Sequence, residues 1–343
     1  MSYKTTIQDI ARELNLTSAT ISRALHNNPR ISEQTKRLVL ETANRLHYRR
    51  NKIASSLRSG KSHTIGVIIP SAQMNFFGSV VHGIQSIANT SGYSILLYQS
   101  EESTELEIKA IEAFLGARVD GILVSIAKGT TDFTHFTELK KRGIPLVFFD
   151  RTNESLDISS VVINDYKGAY NATEHLINQG YKRIAHVSGQ QHVKGFHDRL
   201  LGYQDALKAN GIKPLPEFVY HGNISIESGR LAAEYFLQLP QPPDAVFAVE
   251  DFTALGVLQQ LKEHKISVPG SFGVVGFANE SFGEYITPAL STVDQQTVQM
   301  GREAFKMLIE QIEEKNVALD KGFMVILEPV LLCRESSVRV NDC

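Results

Sequence analysis

In the run Leu16-Thr17-Ser18-Ala19-Thr20-Ile21-Ser22-Arg23-Ala24-Leu25, four hydroxyls and one guanidinium fall within seven residues. Hydroxyls donate and accept hydrogen bonds, and a guanidinium donates in a rigid planar fork. Such a set recognises a polar surface. The elements that must position it read as helices. Thr6 is an N-cap with Asp9 in the first turn, where a carboxylate favours the helix dipole. Ile7, Ile10, Ala11 and Leu14 then share one face at helical spacing. Asn15-Leu16 makes the turn and Thr17 caps a second helix. Ile21 and Leu25 point inward, so Ser18, Ala19, Ser22 and Arg23 face outward. Ser32 caps a third helix, in which Leu38, Leu40, Ala43, Leu46 and Tyr48 supply apolar contacts. This is the pattern of a helix-turn-helix, whose second helix enters the DNA major groove. A small helical bundle with a solvated polar face would show the same periodicity, and charge separates the two.

Residues 1–61 carry 12 Lys/Arg against 4 Asp/Glu, leaving 23 against 33 in the remainder. A chain of formal net charge −2 is thus split into a head of +8 and a body of −10. The asymmetry points to a polyanion as the partner of the head, bound with an affinity that falls with salt.

Bond-making chemistry finds little support. Ser59-Gly60-Lys61-Ser62 resembles the tail of a phosphate loop, but Ser55 stands where a glycine is required. No GxGxxG follows a strand, and HExxH and GxSxG are absent. The 11 histidines are scattered without metal-ligand spacing. His197, close to Arg199, is retained as a pocket residue. Two cysteines, Cys333 and Cys343, make no disulfide framework and suit a reducing cytoplasm. No apolar run reaches membrane-span length and no signal peptide precedes the head.

From Thr64 short β-rich runs alternate with amphipathic stretches. Strands are expected at Thr64–Ile69, Tyr93–Tyr98, Gly121–Val124 and Leu146–Phe149, with helices at 76–90, 104–116 and 134–142. A second series places strands near Val161–Ile163, Arg183–Val187, Phe218–Tyr220, Ala245–Val249 and Gly273–Gly276, with helices near 166–179, 199–210, 225–238 and 252–264. The alternation predicts an α/β body of two doubly wound parallel-sheet lobes, with ligands held at the carboxyl ends of the strands in the cleft between them. Leu290–Gln295 is expected to cross back to the first lobe, followed by a helix at 297–314 and final strands at 323–332.

The run TIQDIARELNLTSATISRALHNNPRISEQTKRLVLETANRLHYRRNKIASSLRSGKSHTIGVIIP closely resembles the head of the LacI–GalR family of transcriptional repressors, and the resemblance extends over nearly the whole chain. It implies an all-α DNA-binding domain at 1–50, a hinge at 51–61 and a periplasmic-binding-protein-like body at 62–343. In that body, lobe 1 takes about 62–160 and 294–322, and lobe 2 about 161–291 and 323–340. Ser18 and Ala19 hold the family's base-reading positions, with Thr20, Ser22 and Arg23 on bases or phosphates, and Thr6, Thr17 and Arg30 also on the DNA. Asn51–Leu57 looks like the hinge helix that pairs with a second copy in the minor groove. There Asn51 and the small Ala54 sit close to the DNA, and Leu57 matches the apolar wedge. Arg50 replaces the usual proline before Asn51.

The resemblance also implies an effector cleft. Phe77, with Phe76 beside it, matches an aromatic that stacks on the ligand. Ser125 and Asp150 end two strands, and Arg199 stands in the family's R-x-x-G-[FY] motif. Phe196 and Ile224 are apolar walls. Glu250 replaces an Asn in A-x-N-D, and in G-[FY]-D-[DN] Ala278 replaces the Asp while Asn279 is kept. The expected protein is a regulator, more a repressor than an activator. It binds a palindromic double-stranded operator as a homodimer and responds to a small-molecule effector, a sugar or sugar derivative. No cofactor, metal or membrane partner is implied. The rivals are a sugar kinase or dehydrogenase on a doubly wound scaffold, and a pure solute-binding protein.

Overall fold

The computed structural model describes residues 5–48, 60–313 and 322–339. Contacts divide the chain into two units, Met1–Ser62 and His63–Cys343.

In the first unit α1 (Ile7–Leu14), α2 (Ser18–Leu25) and α3 (Glu33–Arg45) are each capped by the residue the sequence nominates. Thr6 and Asp9 close a capping box, Thr6 N donating to Asp9 Oδ2 at 2.8 Å. Asn15 ends α1 in the left-handed region at φ 52°. Thr17 accepts from Thr20 N, and Ser32 from Thr35 N. The core is Ile10, Ala11, Ile21, Ala24, Val39 and Ala43, with Leu46 and Tyr48 packed against it. The third helix departs from expectation: Leu38 and Leu40 are 47% and 49% exposed, and Val39 is fully buried. The buried positions 36, 39 and 43 follow the helical period, and the two leucines flank that stripe.

The second unit holds two six-stranded sheets. The first is built from β1 (Thr64–Ile69), β2 (Ser94–Gln99), β3 (Gly121–Val124), β4 (Leu146–Phe149), β5 (Ser159–Ile163) and β11 (Met324–Leu327), in the order β11-β5-β4-β3-β1-β2. All five pairings are parallel. One face packs on α4 (Asn75–Thr90) and α11 (Thr297–Glu313), the other on α5 (Thr104–Ala117) and α6 (Thr134–Lys141). Strand alternation sorts the residues: Ile65, Val67 and Ile69 enter one core, Ile68 the other.

The second sheet joins β6 (Ile184–Ser188), β7 (Val219–His221), β8 (Ala245–Ala248), β9 (Gly273–Phe277), β10 (Ser291–Asp294) and β12 (Val330–Leu332), in the order β12-β10-β9-β8-β6-β7. Only the β10–β12 pair is antiparallel. Helices α7 (Asp165–Asn178) and α8 (Lys194–Ala209) contribute to one core, and α9 (Ile226–Leu237) and α10 (Asp251–Glu263) to the other.

Two expected boundaries between lobes move. Ser159–Ile163 pairs with β4, and Met324–Leu327 pairs with β5, so both strands belong to the first sheet and not to the second lobe. Residues 291–294 form a strand of the second sheet before the chain crosses at Gln295-Gln296. The chain therefore passes between lobes three times, after β5, after β10 and after β11. Each strand's composition suits either sheet. Hydrogen-bond partners more than 150 residues apart in sequence decide the membership of β11.

Candidate functional site

Two places bring functional side chains together. In the first unit, Ser18, Ala19 and Arg23 are exposed along α2, and Ser22 is half-buried. Ile7, Gln8, Ser18, Ala19, Ser22 and Arg23 line one shallow open depression of about 500 Å³. Thr17 and Thr20 are occupied at the cap, their hydroxyls 2.9 Å apart. The sequence reading missed Gln8 and Ile7. Their signal lay in the Thr6 cap, which starts α1 and sets Gln8, polar and exposed, in its first turn beside α2.

Ion pairs in the head are selective. Arg12 pairs with Asp9, Lys36 with Glu33, Arg37 with Glu41 and Arg45 with Glu13. Among the described residues of the head every acid is thereby matched, while Arg23 and Arg30, both exposed, enter none of these pairs. Within residues 5–48 the surplus positive charge therefore centres on them. Asn51, Ala54, Leu57 and the Arg50 substitution lie outside the described residues.

The second place is where the carboxyl ends of the two sheets face each other. Lys128, in the loop after β3, sits 5.6 Å from the ring centroid of Phe196 in α8. Asp150, after β4, lies close enough to Asp165 and Arg199 of the second lobe to feel their charges. Its carboxyl is raised, first by desolvation, against the pull of the Arg151 guanidinium. Ser125 is fully buried and donates to Asp150 at 3.2 Å. Arg151 donates to both oxygens of Glu102 at 3.1 and 2.8 Å. Burial works against the Glu102 charge, yet Arg151 and the Lys128 N–H hold it below the ordinary carboxylate range.

On the second lobe Arg199 is 5% exposed and stacks 3.6 Å from the Phe277 centroid. Its three nitrogens donate to Asp165 (2.8 Å), the Val249 carbonyl (2.6 Å) and Gln295 (3.2 Å). The guanidinium is thus held by its own chain on each nitrogen. Glu250 caps α10, accepting from Phe252 N at 2.7 Å. It is 7% exposed, and burial, then the charges of Asp251 and Glu280, push it up to about 8. Near pH 7 it is mostly a neutral acid with a proton to donate. Asp251 is pushed up to about 6 by burial, while Thr292 Oγ1 (2.6 Å) and Glu280 N (2.7 Å) donate to it. Gly276 is required beside it, because a Cβ there would lie 2.1 Å from Asp251 Oδ1.

The remaining expected residues divide. Phe76 is 9% exposed, and Phe77 at 1% packs in the first-lobe core with the Arg151 guanidinium 5.8 Å from its centroid. Both rings belong to that core and meet edge to face, with centroids 5.0 Å apart. Phe196 is buried, Ile224 half-buried in the loop after β7, and His197 exposed, its Nδ1 3.4 Å from Gln191. Asn279 is tied at both ends, donating to Asp294 at 3.1 Å and accepting from Arg334 at 2.9 Å. Among the described residues no cluster of metal-ligating side chains occurs, and no helix is long and apolar enough to cross a membrane.

Comparison with known proteins bears on both units of the chain. Residues 6–51 match the model of bacterial regulatory proteins of the lacI family, and residues 173–337 that of the periplasmic binding protein-like domain. The chain is 33% identical to catabolite control protein A of Priestia megaterium, over 91% of this chain and 94% of that protein. It is 31% identical to the HTH-type transcriptional repressor CytR of Escherichia coli (strain K12), over 93% of each. Among solved structures it resembles the regulator CelR in complex with cellobiose, with a TM-score of 0.71 and 26% identity over 97% of this chain and all of that one. The Lac repressor dimer bound to operator and an anti-inducer shares the fold, with a TM-score of 0.85 and 22% identity over 98% of this chain and 100% of that one. These relatives are transcription regulators and not enzymes. With a head that exposes a polar recognition helix and a body of two parallel-sheet lobes, the chain belongs to the lacI family of DNA-binding bacterial transcriptional regulators.

Proposed function

We propose that the protein is a repressor that binds a palindromic operator as a homodimer in the cytoplasm and is released or strengthened by a small carbohydrate effector. The observation that carries the DNA half is the exposed Ser18, Ala19 and Arg23 surface of α2, where Arg23 and Arg30 stand outside the head's ion pairs. Short side chains at positions 18 and 19 leave readout to thymine methyl contact, water and Arg23, with Gln8 reaching over the same depression. Ser22 lines the same depression, and Thr6, Thr17, Thr20 and Arg30 are assigned with it as DNA contacts on the family resemblance. Dimerisation suits the exposed Leu96 and Leu97 of β2, the free edge of the first sheet.

For the effector, Phe76 and Phe196 offer aromatic faces, and Ser125, Asp150 and Glu250 offer polar groups. Arg199 and Asn279 join only by exchanging partners they already hold. A neutral Glu250 in place of Asn, with Ala278 in place of a family Asp, moves the hydroxyl-binding carboxyl from one wall to another. The solved complex of the similar regulator CelR with cellobiose supports a sugar as the ligand class.

Gel shifts with full-length protein and a variant lacking residues 1–60, at low and high salt, test the DNA half. Binding that disappears on truncation and weakens steeply with salt supports it; binding by the truncated body contradicts it. Calorimetry with a panel of sugars on wild type and Glu250→Gln tests the effector half. Unchanged affinity in the variant removes Glu250 from the site.

A further inference from the structure

The chain crosses between the lobes at Asn164-Asp165, at Gln295-Gln296 and at Glu328-Pro329. These crossovers are bonded to one another in pairs. The first and third meet through the backbone, Asn164 N donating to Leu327 O at 3.0 Å. The second and third meet where the Gln296 side chain donates to Glu328 O at 2.5 Å. The first and second are joined by a side chain that belongs to neither. Arg199 donates from Nε to Asp165 Oδ1 at 2.8 Å and from Nη2 to Gln295 Oε1 at 3.2 Å.

Burial decides which of these bonds carry weight. Arg199 and Gln295 are 5% and 4% exposed, so water competes little for their charge-assisted bond. The remaining guanidinium nitrogen donates to Val249 O at 2.6 Å, and the group lies over the Phe277 ring, which fixes it to the second lobe. The far side of Gln295 is held as well. Gln296 turns the chain at φ 51°, and its N–H donates to Asp294 Oδ1 at 2.6 Å. Asp294 in turn accepts from Asn279. Lys167 and Glu328 also pair between the first and third crossovers, but their side chains are 52% and 61% exposed, and water screens them.

We infer that Gln295 is the positioning residue through which the state of the cleft reaches the hinge, because it ties the Arg199 guanidinium to crossovers that move as one unit. A ligand oxygen that takes the Nη2 hydrogen bond displaces Gln295 and unlinks the second crossover from the first. The hinge then shifts by as much as the ligand prefers the unlinked form. This consequence rests on the cleft being the effector site. The linkage itself is tested without a ligand, so it can fail while that reading stands.

Hydrogen–deuterium exchange on the full-length protein, with no sugar added, reads the hinge at two amides. Gln296 reports the second crossover. Asn164 reports the first, and its acceptor, Leu327 O, is left in place by every substitution used. Gln295→Leu removes the acceptor and keeps similar bulk, and exchange rises about tenfold at both amides, the scale of one lost hydrogen bond to a charged group. Arg199→Lys keeps the charge but cannot hold Asp165 and Gln295 together, so it raises exchange at Asn164 at least as much. The double variant rises no further than Arg199→Lys alone, because both substitutions break one link. A rise at Gln296 alone means that the crossovers flex independently and overturns the proposal. An additive double variant overturns it too, since each residue then acts separately, and so does unchanged exchange at both amides. Should Gln295→Leu fail to fold, Gln295→Asn keeps the amide but stops one methylene short of Nη2. It must raise exchange at Asn164 in the same way, and no rise there is equally fatal. Sugars that fail to bind in calorimetry would overturn the effector reading and leave these results untouched.

Discussion

Glu250 shows how one carboxyl serves two ends. One oxygen caps α10, as an Asn at that position could, while burial keeps a proton on the group up to about pH 8. The folded state holds a proton that the unfolded state releases near 4.5. Its stabilising contribution is therefore complete below that pH and lost as pH rises toward 8. Asp251 acts with the same sign, but only up to about 6. Thermal unfolding should show the body losing stability between pH 6.5 and 8, by at most about 1.4 kcal/mol per pH unit. Glu250→Gln should flatten that decline and be the more stable protein at pH 8; an unchanged slope assigns it elsewhere. Arg23 belongs to the same scale. Arg23→Ala should cost about 1–3 kcal/mol on the preferred site and relax discrimination between sites, measured by fluorescence anisotropy. An equal loss on every sequence makes Arg23 a phosphate contact only. The sequence named both residues. It did not show that Arg199 is already held on three nitrogens, since Val249 and Gln295 lie 50 and 96 positions away.

At the scale of elements, local chemistry was legible and facing was less so. Thr6, Thr17 and Ser32 cap the helices they were assigned, because capping is decided within four residues. Which stripe of α3 faces inward depends on α1 and α2, and Leu38, Val39 and Leu40 are too similar for composition to choose among them. Val39→Ala should cost the head about 2 kcal/mol in its unfolding transition, and Leu38→Ala less than about 0.5 kcal/mol. The opposite ranking would contradict the packing of α3. Thr6→Ala removes one half of the capping box and should cost about 1 kcal/mol. Strands were also legible one at a time, but their sheets were not. β5 and β11 pair with each other across more than 150 residues, and no periodicity records such a choice. Phe76 and Phe77 are adjacent and identical, and only the packing of α4 on the first sheet shows that both enter its core.

At the scale of the whole molecule, the charge division is the feature that separates the roles of head and body. A head of +8 and a body of −10 confine polyanion binding to one end of the chain. Removing one cation that neutralises a phosphate should lower the salt slope of DNA binding by roughly 0.9 in logarithmic units. Arg30→Ala should therefore reduce that slope while leaving the preference between sequences intact; a changed preference would move Arg30 to a base edge. The most direct measurement is selection of binding sites from a randomised palindromic DNA library by the full-length protein, followed by affinities for the winning and random sites at one fixed salt concentration. The account predicts a single symmetric sequence bound at least about a thousandfold more tightly than random DNA. Equal affinity for all sequences, with and without sugars present, would contradict it.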